Sequence, residues 1–338
     1  MRILYLSIHQ VLEYDEIKLF TEMGYDCFSY QGAYSDPVGN PQLHRPGIPG
    51  LKHYPGLIEI ASKFPKTEMS KNIIEQFDVI FVMGGRGDVE ILMQNWPNIK
   101  HKKVIWRTIG QSSPENERQM KHLYDQGLKV VRYSPMEQKM PDYIGASAMI
   151  RFYKDPNEYI GWVGANKQVI NFTQSLRGRG ASCYYKPIIE AMSGFQAKVY
   201  GNGNADLGNL NGGQVSYDNQ KGILRDNRAF LYAGTWPASY SLSFIEAWMT
   251  GIPVVAFGGD IWMSGFPSYQ IYEIPNLIDH GETGFIAKNV EEAKIYIKLL
   301  FNDEKLAKKI SIQSRAKAEE VFGKNTILSE WRAFFNKI

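Results

Sequence analysis

The segment Trp236–Gly259 holds the residues best suited to chemistry. It reads Trp-Pro-Ala-Ser-Tyr-Ser-Leu-Ser-Phe-Ile-Glu-Ala-Trp-Met-Thr-Gly-Ile-Pro-Val-Val-Ala-Phe-Gly-Gly. A small polar loop runs into a helix, for which Ser239, Ser241 and Ser243 are candidate N-caps. A helix start presents unpaired N–H groups and a partial positive charge, a natural seat for a phosphate. Ala238, Ser239, Tyr240, Ser241, Leu242 and Ser243 would line such a seat. Glu246 falls in the first turn or so, from which its carboxylate would reach past a phosphate to hydroxyls such as those of a ribose. A Glu placed there only for the helix dipole would leave the same pattern. Gly251 and Pro253 end the helix, and the strand after them is apolar.

Other residues stand at similar positions. In Arg177-Gly178-Arg179-Gly180 the glycines let the backbone approach a ligand closely, with Arg177 and Arg179 as cations. Lys186 follows on the next helix. A basic surface turn would read the same way. Gly201-Asn-Gly-Asn204 closes a strand, and Tyr217 lies a little beyond it. In the N-terminal half His9 ends the first strand, with Glu13 and Asp15 near the start of the following helix. Gly84-Gly85-Arg86 and Arg107-Thr108, with Gln111 after them, end two more strands. Arg107 there suits a phosphate or an anionic acceptor. No H-x-x-x-H, C-x-x-C or D-x-D constellation occurs, so no metal is expected. The absence of G-x-S-x-G, a Walker loop and a well-placed G-x-G-x-x-G argues against hydrolase, NTPase and dehydrogenase.

These residues need elements to position them. Arg2–Ser7, Tyr25–Tyr30, Asp78–Met83, Lys103–Trp106 and Lys129–Tyr133 read as short apolar strands, with helices over Glu13–Met23 and Glu115–Gln126. A Pro- and Gly-rich stretch from Tyr34 to Lys66 reads as a long irregular insertion. A second series follows: strands Lys167–Phe172, Gln196–Tyr200, Ala229–Ala233 and Val254–Phe257, with helices over Ser182–Met192 and Ser241–Thr250. A turn and strand cover Gly281–Ile286. Helices over Val290–Phe301, Glu304–Val321 and Asn325–Asn336 close the chain. Alternating strands and helices imply parallel, doubly wound sheets, with ligands at the carboxyl ends of the strands. The 338 residues, 44% of them hydrophobic, suffice for two α/β domains of about 150 residues each.

The segment around Glu246 resembles the signature of retaining GT-B glycosyltransferases, the large glycogen- and sucrose-synthase-like family with the pattern E-G-F-G-L-x-x-x-E-A-M-A-x-G-x-P-V-V-A. Glu246 stands at its second Glu, with Ala247, Gly251, Pro253, Val254, Val255 and Ala256 in step. Asn276–Ala287 resembles the family's I-V-x-x-G-x-T-G-L-L-V. The resemblance covers residues 160 to 338; before that only the βαβ order agrees. It implies two Rossmann-like domains facing across a cleft: an acceptor domain over 1–157, a nucleotide-sugar domain over 158–320, and a final helix, 321–338, crossing back. It implies a metal-independent transferase with no cofactor beyond its nucleotide-sugar co-substrate, a UDP-sugar in preference to a GDP-sugar. Glu246 would then bind the ribose and Arg179 and Lys186, with Arg177, the diphosphate. Gly201 and Tyr217 would lie near the base, and His9 and Arg107 near the reacting groups. Glu13, Asp15, Gly84, Gly85, Arg86, Thr108 and Gln111 would serve the acceptor. The pattern's first Glu is replaced by Ala238, so the usual contact to the donor sugar does not carry over.

A glycan or lipid-linked glycan is the acceptor this family implies. Ser7–Glu16 and Trp106–Gln111 also resemble glycosyltransferases of tailed phages, which brings in a hydroxymethylated pyrimidine in DNA as an alternative. Lys100-His101-Lys102-Lys103, with Arg45, Lys52, Lys63 and Lys66, would then supply a basic track, although the net charge is only +3. The missing Glu raises a third reading, a non-catalytic sugar-nucleotide-binding protein. Two cysteines far apart, and no signal or membrane-spanning segment, suggest a cytoplasmic setting, that of the host if the protein is viral, with any membrane contact peripheral.

Overall fold

The computed structural model describes residues 1–30, 45–85, 87–110, 113–258 and 271–338. Arg86, Gln111, Gly259 and the first part of the expected insertion lie outside the described residues. The chain divides into two compact units, one of residues 1–152 with 325–338, the other of residues 153–324.

The first unit is built on a six-stranded parallel sheet, β1 (Arg2–Ser7), β2 (Asp26–Ser29), β3 (Val79–Met83), β4 (Lys103–Arg107), β5 (Lys129–Arg132) and β6 (Ala148–Met149). The strand order is β2-β1-β3-β4-β5-β6. Helices α1 (Gln10–Glu22), α2 (Pro55–Ser62), α3 (Lys71–Ile74), α4 (Asp88–Ile99) and α5 (Pro114–Asp125) connect the strands. A parallel sheet covered on both faces needs apolar residues at every position, and β3, Val-Ile-Phe-Val-Met, is buried throughout. The helix Lys324–Phe335 packs on this unit: the Trp331 ring meets Phe20 edge-on at 5.0 Å and lies 5.7 Å from Phe81.

The second unit repeats the plan with β7 (Asn166–Phe172), β8 (Ala197–Tyr200), β9 (Asn211–Gly213), β10 (Asn227–Tyr232), β11 (Val254–Phe257) and β12 (Phe285–Ala287). All are parallel, in the order β12-β11-β10-β7-β8-β9. Its helices include α6 (Leu176–Arg179), α7 (Tyr185–Met192), α8 (Tyr217–Asp226) and α9 (Leu242–Thr250), followed by Val290–Asn302 and Glu304–Phe322. Strand order reverses between β1 and β3 in one sheet and between β7 and β10 in the other. Loops from these strand pairs diverge to opposite faces and leave a crevice at the carboxyl edge.

Several elements depart from the sequence reading. Helix α1 begins at Gln10, three residues early, because His9 caps it: the imidazole Nδ1 accepts from Leu12 N at 3.3 Å. Part of the expected irregular insertion is helical. Pro55 opens α2, which buries Leu57 and Ala61 one turn apart. Helix α4 was not foreseen, although Val89, Leu92, Trp96 and Ile99 are buried at helical spacing; Pro97 inside it argues the other way. The expected helix from Ser182 starts at Tyr185 instead. Residues 180–183 form a 3-10 turn, and Tyr184 takes a left-handed conformation, φ 57°. Among the described residues no helix is long and apolar enough to cross a membrane.

Candidate functional site

At the carboxyl edge of the second sheet three loops are stitched together. Beyond β7 the chain turns sharply at Ser175, φ 48°. Beyond β8, Asn204 is buried and bridges the two turns: its Oδ1 accepts from Leu176 N at 2.8 Å and its Nδ2 donates to Thr173 O at 2.7 Å. Only glycine fits at Gly203, where φ is 76° and a Cβ would come within 2.5 Å of Ser175 Oγ. Gly201 is equally constrained, with φ 135° and Thr173 O 2.9 Å from a would-be Cβ. The loop beyond β10 joins through Trp236 N, which donates to Ser182 O at 2.8 Å, and through Cys183 Sγ, 3.6 Å from Thr235 Oγ1.

Helix α9 rises from this last loop. Ser241 is its N-cap in extended conformation, yet its hydroxyl makes no capping bond and lies 2.8 Å from Ser243 Oγ. Ser241 N donates to Tyr232 Oη at 3.0 Å, which fixes the start of the helix against the sheet. The amides of Leu242 and Ser243 have no acceptor among the described residues. Two amides and two hydroxyls at the positive end of a helix are the groups an anion needs. Ala238, half-buried, and Ser239 and Tyr240, both buried, precede them.

Glu246 lies in the second turn of α9, not the first, and only 5% of it is exposed. Its Oε1 pairs with Lys154 Nζ at 2.9 Å, and its Oε2 accepts from the Gln220 amide of α8. Lys154 is itself 2% exposed. Neither partner was foreseen. Tyr217 opens α8; its hydroxyl donates to Glu158, and Lys221 Nζ sits 3.7 Å over its ring.

The basic residues separate. Arg179 is exposed beside the β7 turn. Arg177 is turned to its own unit, its Nε donating to Tyr185 Oη at 3.0 Å and standing 3.4 Å from Asp206. Lys186, also exposed, lines a cavity of about 760 Å³ with Tyr184, Pro187, Glu190, Asn289 and Glu291.

In the first unit His9, Gly84 and Gly85 stand at the carboxyl ends of β1 and β3. Glu13 is wholly buried; it accepts from the Ser29 hydroxyl, and burial pushes its carboxyl up to about 7 against the opposing pull of Ser29 and Lys66. Asp15 is buried on the same helix. Gly84 serves the fold, donating to Arg107 O and accepting from Trp106 Nε1, both at 3.1 Å.

Arg107 and Thr108, expected near a ligand, are both engaged by groups of their own unit. Arg107 is wholly buried, its Nε 2.9 Å from Glu16 Oε1 and its other donors on the carbonyls of Arg132, Ile150 and Arg151. Thr108 donates to the buried Glu137 at 3.0 Å. A strand-end arginine looks like an anion binder in a sequence. Here interior carbonyls and a buried carboxylate take four of its five N–H donors. Half of the basic track is paired with carboxylates: His101 and Lys102 both meet Glu75, Lys63 meets Glu59, and Lys52 meets Asp26.

No protein-family model matches the sequence, and no curated protein matches it. Solved structures do match in shape. Sucrose-phosphate synthase from Thermosynechococcus elongatus superposes with a TM-score of 0.68 at 11% identity, over 100% of this chain and 99% of that one. Anabaena HepE in complex with UDP-glucose gives 0.66 at 15% identity, over 100% of both chains. A glycosyltransferase from Rickettsia africae gives 0.65 at 11% identity, over 99% of this chain and 98% of that one. With two all-parallel six-stranded sheets matched along the whole chain, the fold is GT-B.

Proposed function

We propose that this chain transfers a sugar from a nucleoside-diphosphate donor, a UDP-sugar by preference, to an acceptor hydroxyl with retention of configuration. The observation that carries the reading is the start of α9. The amides of Leu242 and Ser243, without an acceptor among the described residues, and the hydroxyls of Ser241 and Ser243 stand at the switch point of a parallel sheet, with Glu246 one turn further on. The diphosphate would rest on these groups, and Arg179, in the turn after β7, would supply a cation. A leaving nucleoside diphosphate gains negative charge as the sugar departs, and fixed dipoles aimed at it lower the barrier directly. Glu246 would accept from the ribose hydroxyls. The HepE complexes with UDP and UDP-glucose support a uridine donor. The acceptor we favour is a glycan or lipid-linked glycan hydroxyl, since the pairing of His101, Lys102, Lys63 and Lys52 weakens the case for a DNA track.

The test is a thermal-shift screen of nucleoside diphosphates, followed by donor turnover with UDP- and GDP-sugars. UDP is expected to raise the melting temperature most. Glu246→Ala should weaken its binding at least about tenfold, the loss of a hydrogen bond to a charged group. No stabilisation by any nucleoside diphosphate would sink the reading. Ala238 in place of a sugar-contacting Glu favours one second reading, a sugar-nucleotide-binding protein without turnover. Binding with no transfer or hydrolysis of any donor would establish that instead.

A further inference from the structure

The mate of Glu246 comes from an unexpected place. Lys154 lies at the start of the second unit, two residues after the chain leaves the first. Its backbone is pinned: its N donates to Phe322 O at 3.0 Å, and it bridges in parallel with Gly323. The neighbouring Asp155 pairs with Lys324 at 2.8 Å. The two segments adjoining the unit boundaries are thus held side by side, and from this rigid strap the Lys154 side chain runs to Glu246 Oε1 at 2.9 Å. Gln220 holds the other oxygen from α8.

A carboxylate has about four lone-pair sites, and these two donors occupy two of them. Two remain, in a fixed plane, for a further pair of donors. The Lys154 cation and the Gln220 amide approach different oxygens of the carboxylate, so its position is held from two sides. A vicinal diol presents two donors at the matching spacing. We propose that Lys154, assisted by Gln220, is a positioning residue that holds the Glu246 carboxylate in the orientation that accepts both ribose hydroxyls of the nucleotide. The inference rests on the nucleotide reading of Glu246 above.

The test measures binding of UDP and of 2′-deoxy-UDP to the full chain by calorimetry. The wild-type protein should prefer UDP by about tenfold, as expected for one hydrogen bond to a charged group. Lys154→Met should bring that preference below about threefold, with UDP, which loses both hydroxyl contacts, weakened more than 2′-deoxy-UDP, which loses only the 3′ contact. A merely structural lysine would lower both affinities together and leave their ratio intact. Lys154→Met leaves a buried carboxylate without its cation and can compromise folding. Gln220→Met keeps both charges and reads the same clamp, with an expected drop in the ratio of about threefold. An unchanged ratio in Gln220→Met and in any folded Lys154→Met protein overturns the proposal. If the wild-type chain binds neither nucleotide, or Glu246→Gln keeps the full ribose preference, it is the nucleotide reading that fails.

Discussion

Glu13 carries a pH dependence whose sign follows from burial. Its carboxyl stands at about 7 in the folded chain against an ordinary 4.5. Between these values the folded state keeps a proton that the unfolded state releases, so stability is highest below 4.5, falls as pH rises to about 7, and is flat above. The loss amounts to at most about 3 kcal/mol. Glu13→Gln keeps an acceptor for Ser29 and removes the charge. Urea unfolding from pH 4.5 to 8 should show the fall in the first unit for the wild type and a nearly level line for the variant; equal slopes would show that Glu13 is not the group responsible. At this scale the sequence singled out Glu246 because a motif frames it. It was silent about Lys154, a lone lysine between Tyr153 and Asp155 that periodicity could not pair with a distant helix. It did not show the internal partners of Arg107, because a charge at a strand end reads the same whether a ligand or the protein's own carbonyls satisfy it.

At the level of elements, the β7, β8 and β10 loops behave as one piece. Asn204 is the bolt: Asn204→Ala would leave the Leu176 amide and the Thr173 carbonyl without their partner, at a cost of about 1–3 kcal/mol for each group that stays dry. Gly203→Ala should be comparably damaging, because a methyl group meets Ser175 on a backbone with φ 76°. Both variants should lower the melting temperature, and affinity for the proposed UDP donor should fall with it as the crevice loosens. Stability unchanged in Asn204→Ala would mean that the loops are held otherwise. The strands were legible because parallel strands buried on both faces must be apolar, so β3 and β11 stand out as uninterrupted runs. Helix α8 was not, since only Tyr217, Gln220 and Leu224 are buried along it and polar residues fill the rest. The short strands β6 and β9, of two and three residues, carry too little pattern to be seen.

On the scale of the molecule, two units of one architecture share a chain that leaves the first and later returns to it. The returning helix contributes Trp331, wholly buried against Phe20, Phe81 and Phe335. Trp331→Ala should destabilise the first unit by about 3–5 kcal/mol, the usual cost of emptying a large aromatic site. Calorimetry should resolve this as a lowered transition for that unit, with the other unchanged; a uniform fall in both would show that the units melt as one. The two-unit plan and the α/β class were open to sequence reasoning through the count of alternating elements. The destination of the last helix was expected only from family likeness, because an apolar stripe shows that a helix docks and not where it docks.

That returning helix sets an order on synthesis. A ribosome delivers residues 1–152 first, yet the first unit lacks Trp331 and Phe335 until the entire second unit has emerged. The usual N-to-C sequence of domain completion is therefore reversed. The nascent first unit waits with the apolar surface around Phe20 and Phe81 uncovered, while the second can close its own core as soon as it is clear of the tunnel. Chaperone engagement, and aggregation when translation is cut short, should concentrate on that waiting surface.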